Sequence, residues 1–222
     1  AIGKAIVFEN RDKYETPIKT NADANEEINN FTNALPVAVE KIKILRKKLA
    51  VNLPKDELEI FESYSAMIND PEVIEKTTSL IEKYKCNADF AYYEISKKFI
   101  ETLEQIDDPY LKQRAEDLKM ISKIIIEILQ GKKHNSQDLN SPSIVVAEKI
   151  NTAQLAELNQ EFLLGLITSK GGITDHTSIL AKALGIPYLL EVKEAHEKIK
   201  TNDLLVIDGK NNCVHQNLNK KD

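Results

Sequence analysis

Residues 171 to 187 read GGITDHTSILAKALGIP, and this stretch sets the grammar of the C-terminal part of the chain. Two adjacent glycines after the apolar run 163–168 predict the end of a strand, a tight turn and a close backbone approach. Thr174 or Asp175 stands where a helix N-cap belongs. Ile179, Leu180 and Ala183 supply a buried stripe, and Gly185 with Pro187 ends the helix. His176 then falls in the first turn, where unpaired backbone N–H groups and the positive end of the helix dipole favour an anion. An imidazole there is a competent nucleophile toward phosphorus, because it needs no separate base to make its lone pair available. Taken alone, a histidine beside a glycine turn is also an ordinary surface residue, and paired glycines open many strand-to-helix turns.

Outward from this stretch, 222 residues with 42% hydrophobic content suffice for one large domain or two small ones. No apolar run reaches the length of a bilayer span, and the start AIGKAIVFEN lacks the pattern of a signal peptide, so a cytoplasmic protein without a membrane partner is expected. The net charge of −5, with lysines and arginines dispersed among acidic residues, argues against nucleic acid as a partner. Cys86 and Cys213 are far apart and are read as reduced thiols, with no zinc site expected.

Upstream, residues 3–8 form a lone apolar strand, and helical periodicity then dominates. A long helix over residues 22–51 carries Ala38, Ile42, Leu45 and Leu49 on one face, with Pro36 expected to kink or interrupt it. A second helix has Leu58, Phe61, Ser65 and Ile68 on its stripe. Asp70-Pro71 restarts the chain as N-cap and first helical residue before a third, through Ile74, Ile81 and Tyr84. A fourth runs through Ile95, Phe99, Leu103 and Ile106. Asp108-Pro109 repeats the cap before a fifth, from Leu111 to Ile128. These amphipathic helices with short turns predict an antiparallel bundle. Residues 131–143, GKKHNSQDLNSPS, read as a linker in which His134 is solvated.

After the linker, strands and helices alternate: strand 143–147, helix 151–160, strand 163–168, the turn and helix already described, then strands 188–192, 204–207 and one near Val214. His196 and His215 read as exposed. If the first strand joins this later sheet, the helices are an insertion. The expected architecture is α+β or α/β: an α/β subdomain from residues 1–20 plus 132–222, with a helical-bundle subdomain, residues 21–131, inserted into it.

The run GGITDHTSILAKALGIP resembles the phosphohistidine signature of phosphoenolpyruvate-utilising phosphotransferases, GGxTSHxxIxAR, with Gly171, Gly172, Thr174, His176, Ile179 and Ala181 matching. Two positions depart from it: Asp175 replaces the serine and Lys182 the arginine. FESYSAMINDPEVIEK (61–76) and DDPYLKQRAEDLKMI (107–121) resemble stretches of Enzyme I of the bacterial sugar phosphotransferase system. The start of the chain and the segment NDLLVIDGKNNCV are also similar to that family, so the resemblance covers nearly the whole chain.

The resemblance implies a swivelling phosphohistidine subdomain in which His176 accepts phosphoryl from phosphoenolpyruvate and passes it to a histidine of the phosphocarrier HPr in sugar uptake. Thr174, Gly172, Arg114, Asn151, Lys182 and the N–H groups around Thr177 and Ser178 would assist, with Asn151 in place of the family's threonine that contacts the histidine. A carboxylate at Asp175 would cap the helix but repel an arriving phosphoryl group. The family's HPr-docking helices would place Tyr64, Met67, Ile68, Glu72, Val73, Tyr110, Leu111 and Arg114 at the partner, although periodicity equally assigns Ile68 and Leu111 to the bundle core. The barrel domain that binds phosphoenolpyruvate and Mg²⁺ has no counterpart in these residues. The chain is therefore read as an N-terminal half, monomeric as a fragment, needing no cofactor of its own and drawn from a homodimeric enzyme. The alternatives are the phosphohistidine domain of a dikinase-type enzyme and a non-catalytic HPr-binding regulatory module.

Overall fold

The computed structural model describes residues 1–8, 16–51, 53–132, 139–173 and 175–217; Thr174 and His134 lie outside the described residues. The chain divides into two compact units. One comprises Ala1–Asp12, Leu49–Glu57 and Asn135–Asp222, and the other Lys13–Lys48 and Leu58–His134.

The first unit is built on a six-stranded sheet of β1 (Ile2–Phe8), β2 (Ser143–Ala147), β3 (Leu163–Thr168), β4 (Tyr188–Leu189), β5 (Leu204–Asp208) and β6 (Cys213–Gln216). The order across the sheet is β4-β3-β2-β1-β5-β6. Strands β1 to β4 are mutually parallel, whereas β5 runs antiparallel to β1, and β6 antiparallel to β5. All five residues of β2, SIVVA, are buried, so both faces of the sheet are covered at its centre. One face packs Ala5, Ile144, Val146, Ile167, Leu205 and Ile207 against Ala195 and Ile199 around α8 (Ala195–Lys198). Helices α6 (Thr152–Glu157) and α7 (His176–Ala183) pack on each other and provide the β2-to-β3 and β3-to-β4 crossovers.

The second unit holds α1 (Ala24–Leu49, whose last residue groups with the first unit), α2 (Ile60–Ile68), α3 (Pro71–Tyr84), α4 (Ala88–Gln105) and α5 (Pro109–Leu129). α4 packs along both α3 and α5, and α2 lies against α5. The two Asp-Pro starts form as their chemistry dictates. Asp70 accepts from the N–H groups of Glu72 and Val73 at 2.9 and 3.1 Å, and Asp108 from those of Tyr110 and Leu111 at 2.8 and 3.0 Å. Phe31 and Tyr92 stack at a centroid distance of 5.6 Å, and burial pushes the Tyr92 hydroxyl up to about 12.

Several local expectations are corrected. Pro36 lies inside an unbroken α1, on its exposed face, where the missing N–H is tolerated. The buried stripe of α3 is Val73, Thr77 and Ile81, and Tyr84 is exposed. The buried face of α4 is nearer its start, at Ala88, Ala91, Tyr92 and Ile95, while Ile106 is exposed. The strand expected over 188–192 stops at Leu189. Glu191 and Glu194 adopt left-handed φ values of 57° and 56°, which an extended strand cannot accommodate.

Candidate functional site

The turn at Gly171 and Gly172 is shaped by backbone demands that only particular residues meet. Gly171 has φ 139°, and a Cβ there would lie 3.2 Å from Leu190 Cδ2, which makes glycine the fitting residue. Beneath it the Thr168 and Tyr188 hydroxyls meet at 3.1 Å. Burial is the main cause that pushes the Tyr188 phenol above its ordinary range, and the negative charge of Asp175 adds to it. Ser169 Oγ lies 2.7 Å from His196 Nδ1, tying the end of β3 to α8. Lys170 pairs with Glu148 at 2.5 Å, and that hydrogen bond holds the half-buried Glu148 carboxyl below the usual range.

Asp175 occupies the N-cap position of α7, but its side chain does not cap the helix. Instead, Gly172 N–H donates to Asp175 Oδ2 at 2.7 Å, while Ser178 Oγ donates to Gly172 O at 2.6 Å. The turn is thus closed from both ends of one glycine. Its side-chain space is also spoken for, since a Cβ on Gly172 would sit 3.1 Å from Asp175 Oδ1. The expected capping role of Asp175 is corrected accordingly: the carboxylate points back into the turn because its best donor lies there.

His176 is the first residue of α7 and is partly buried. The N–H groups of Ser178 and Ile179 donate to Asp175 O at 2.9 and 3.1 Å, so the expected phosphate donor at Ser178 is already engaged. Thr177 is buried, and its hydroxyl lies 3.5 Å from that of Thr152 at the start of α6. Thr152, unrecognised in the sequence, therefore supports the residue next to His176. The buried stripe of α7 is Thr177, Leu180 and Ala181, whereas Ile179 and Ala183 are exposed.

Asn151 is the N-cap of α6, and Lys182 lies on the exposed side of α7. Asn151 Oδ1 accepts from Gln154 N at 2.8 Å and Gln154 Oε1 accepts from Asn151 N at 2.9 Å, a reciprocal cap that uses the Asn151 amide oxygen for α6. Lys182 is exposed six residues after His176, about 120° away around the helix.

The helical unit sorts the remaining candidates by burial. Tyr64 and Ile68 on α2 and Val73 on α3 are core residues, at 0%, 3% and 8% exposure; for Ile68 this is the core assignment that periodicity left open, and Tyr64 and Val73 lie in the interior beneath the expected docking surface. Met67 and Leu111 are half-buried, Glu72 is exposed and paired with Lys76, and Tyr110 is 63% exposed. Arg114 is not an open fork. Its Nε and Nη2 donate to Tyr110 Oη at 3.1 and 3.0 Å, and Nη1 lies 3.6 Å from Asp117 Oδ2. Tyr64 Oη donates to Asp117 Oδ1 at 3.2 Å, so exposed Tyr110 is linked through Arg114 and Asp117 to the buried core.

Among the described residues one group could hold a metal: Asp208, Cys213 and His215 on the β5–β6 hairpin. Its donors include a thiol and an imidazole, which do not suit Mg²⁺. Cys213, read from the sequence as a reduced thiol with no zinc site expected, has its Sγ 3.3 Å from His215 Nε2. No described helix is long and apolar enough to cross a membrane.

Two family models match this chain. The N-terminal domain of PEP-utilising enzymes matches residues 1–114, and their mobile domain matches residues 139–212. The chain is 32% identical over 202 residues to the phosphoenolpyruvate-protein phosphotransferase of Mycoplasma capricolum subsp. capricolum, covering 90% of this chain and 35% of that protein. With the enzyme of the same name from Listeria monocytogenes it shares 33% identity over 211 residues, 94% of this chain and 36% of that one. It thus spans about a third of the length of these relatives. A solution structure of Enzyme I (nEIt) superposes with a TM-score of 0.76 at 33% identity, covering 100% of this chain and 90% of that one. The N-terminal domain of Enzyme 1 - Nitrogen superposes with a TM-score of 0.67 over 98% of this chain and 89% of that one; at 23% identity it speaks to the fold alone. A mixed helix-and-sheet chain matched by both family models, with Enzyme I relatives along nearly its whole length, belongs to the PEP-utilising enzymes as the N-terminal part of an Enzyme I-type phosphotransferase.

Proposed function

We propose that this chain is the phosphoryl-relay part of a phosphoenolpyruvate-protein phosphotransferase, with His176 as the residue that carries the phosphoryl group. The observation that carries this reading is the placement of a partly buried imidazole as the first residue of α7, directly after a glycine turn closed at Gly172 by Asp175 and Ser178. A ring nitrogen of His176 attacks phosphorus, the bond from phosphorus to the enol oxygen breaks, and the enolate leaves to be protonated to pyruvate. In the second step a histidine nitrogen of HPr attacks the same phosphorus and the bond to His176 breaks. Both steps depend on in-line positioning and charge stabilisation more than on proton transfer.

The sheet unit, residues 1–12, 49–57 and 135–222, acts as the phosphohistidine subdomain, and the helical unit, residues 13–48 and 58–134, as the surface that docks HPr. Within the helical unit the accessible members of the family's docking set are Met67, Glu72, Tyr110, Leu111 and Arg114; Tyr64, Ile68 and Val73 shape that surface from below. Gly172 shapes the turn, Thr174 assists the transfer as its match to the phosphohistidine signature implies, and Arg114 is a further donor for phosphate once released from Tyr110. Phosphoenolpyruvate and Mg²⁺ bind to the part of the relatives' length that this chain does not span, and the setting is cytoplasmic sugar uptake by a homodimeric enzyme. The dikinase-type and non-catalytic alternatives draw no support from the names of the relatives.

The test is to mix the purified chain with phospho-HPr and read its intact mass beside His176→Ala. One acid-labile phosphoryl group on the parent and none on the variant is the expected result. A phosphoryl group that persists in the variant, or none on the parent, overturns the assignment of His176.

A further inference from the structure

We infer that the tip of the β5–β6 hairpin is a zinc site formed by Asp208, Cys213 and His215, separate from the phosphoryl relay. The hairpin register brings these residues together. Asp208 is the direct cross-strand partner of Cys213, and His215 follows Cys213 by two positions on β6. Cross-strand partners share a face of the sheet, and so do residues two apart on one strand, so all three side chains project from the same side. Their ligand atoms lie within 4.8 Å of one another, with Cys213 Sγ and His215 Nε2 at 3.3 Å. Two ligands on a tetrahedral zinc are about 3.5 Å apart for ordinary Zn–S and Zn–N bonds. The thiol–imidazole pair already meets that separation, and a modest rotation of either partner brings the carboxylate in.

The chemistry of the set also selects the ion. A thiol, an imidazole and a carboxylate match the borderline-soft preference of zinc and its neighbours, whereas calcium and magnesium require oxygen ligands throughout. Asp208 is held in place by its own turn. Its Oδ1 accepts from the N–H groups of Lys210 and Asn211 at 3.0 and 3.2 Å, and its Oδ2 from Asn211 Nδ2 at 2.7 Å. A carboxylate has about four acceptor directions, so one remains for a cation while the others fix its orientation. Asp208 and Cys213 are half-buried and His215 is exposed, which leaves a path for the ion and a fourth position for water.

The location sets the site apart from His176. β5 runs antiparallel to β1, so its C-terminal end lies at the end of the sheet opposite the C-terminal ends of the parallel strands, from which the His176 turn departs. The hairpin is moreover the far edge of the sheet from β4. Metal binding there clamps an edge hairpin and does not enter the transfer reaction.

The experiment is titration of the reduced, chelator-treated chain with Co²⁺ and, separately, with Zn²⁺ by calorimetry. One equivalent binds, Co²⁺ develops a thiolate charge-transfer absorption with tetrahedral visible bands, and Zn²⁺ displaces it. Cys213→Ser abolishes the charge-transfer band, and His215→Ala weakens affinity by roughly tenfold or more. Asp208→Asn, which keeps an oxygen for the turn, weakens affinity while the thiolate band remains. Cys86→Ser changes nothing. The side chains lie at a hairpin tip, and unchanged far-ultraviolet dichroism of each variant verifies its fold. Absence of the thiolate band, its survival in Cys213→Ser, or undiminished Zn²⁺ affinity in His215→Ala overturns the proposal.

Discussion

Asp175 and Gly172 are joined by a 2.7 Å hydrogen bond in which the Gly172 N–H donates to the Asp175 carboxylate, so the acidic residue before His176 braces the turn rather than the helix. The expected electrostatic obstacle to a phosphoryl group is therefore also a structural support. Asp175→Ala removes the acceptor and should lower stability by about 1–2 kcal/mol, whereas Asp175→Asn, which retains an oxygen, should lose less. Urea unfolding of the two variants checks this ordering, and equal losses would mean that the bond contributes nothing.

Gly171, at φ 139° and with Leu190 Cδ2 3.2 Å from where a Cβ would stand, should not tolerate a side chain. Gly171→Ala should destabilise by about 1–3 kcal/mol through backbone strain. Gly131→Ala has open space around it and only its positive φ to oppose it, and serves as the comparison. Chemical-denaturation midpoints of the two variants give the difference.

The two Asp-Pro caps act on separate helices. Asp70→Ala and Asp108→Ala should each cost about 1 kcal/mol, and the double variant should lose about the sum. Thermal or urea unfolding of the three proteins decides it; strong non-additivity would show that α3 and α5 are coupled through their starts.

Tyr64 Oη donates to Asp117 inside the helical unit, and Tyr64 is fully buried. Tyr64→Phe should cost about 1–3 kcal/mol by withdrawing a partner from a buried carboxylate. Tyr110→Phe, at an exposed position, should cost less than about 1 kcal/mol while freeing two guanidinium donors of Arg114. Unfolding free energies check both, and in the docking reading Tyr110→Phe also alters affinity for HPr, measurable by titration.

The Asp203 carboxyl is held below its ordinary range, first by the Asn217 side chain and then by the Lys200 N–H and the Gln216 side chain. A depressed folded-state value means that its contribution is present above the unfolded value of about 3.9 and is lost as pH falls through the lower folded value. Amide protection at Asn217, which donates to Leu204 O, should therefore decline in that acidic window, and Asp203→Asn should flatten the dependence. Hydrogen exchange followed by NMR reads it; an unchanged profile in the variant would assign the loss to another group.

Much of the architecture was legible in the sequence because it rests on local rules. The Asp-Pro starts, the apolar run of β2 and the glycine turn before His176 each carry their own stereochemical reason, and each forms as read. What local rules could not assign was direction. α7 buries Thr177, Leu180 and Ala181 rather than the stripe expected, because its neighbour is α6, whose Thr152 lies close in space but 25 residues away in sequence. Tyr64, Ile68 and Val73 went inward for the same cause, since a helical stripe shows that a face is apolar but not whether a partner protein or the adjoining helix covers it.

The order of elements, the helix starts and the histidine at the head of α7 were determined by the sequence itself, because propensity, capping and turn chemistry act over a few residues. The tertiary structure alone decided that Asp175 serves Gly172, that Asn151 caps α6, and that Asp208 meets Cys213 and His215 across a hairpin. Those pairings depend on register and on which donor lies nearest after packing, quantities that exist only once the chain has folded.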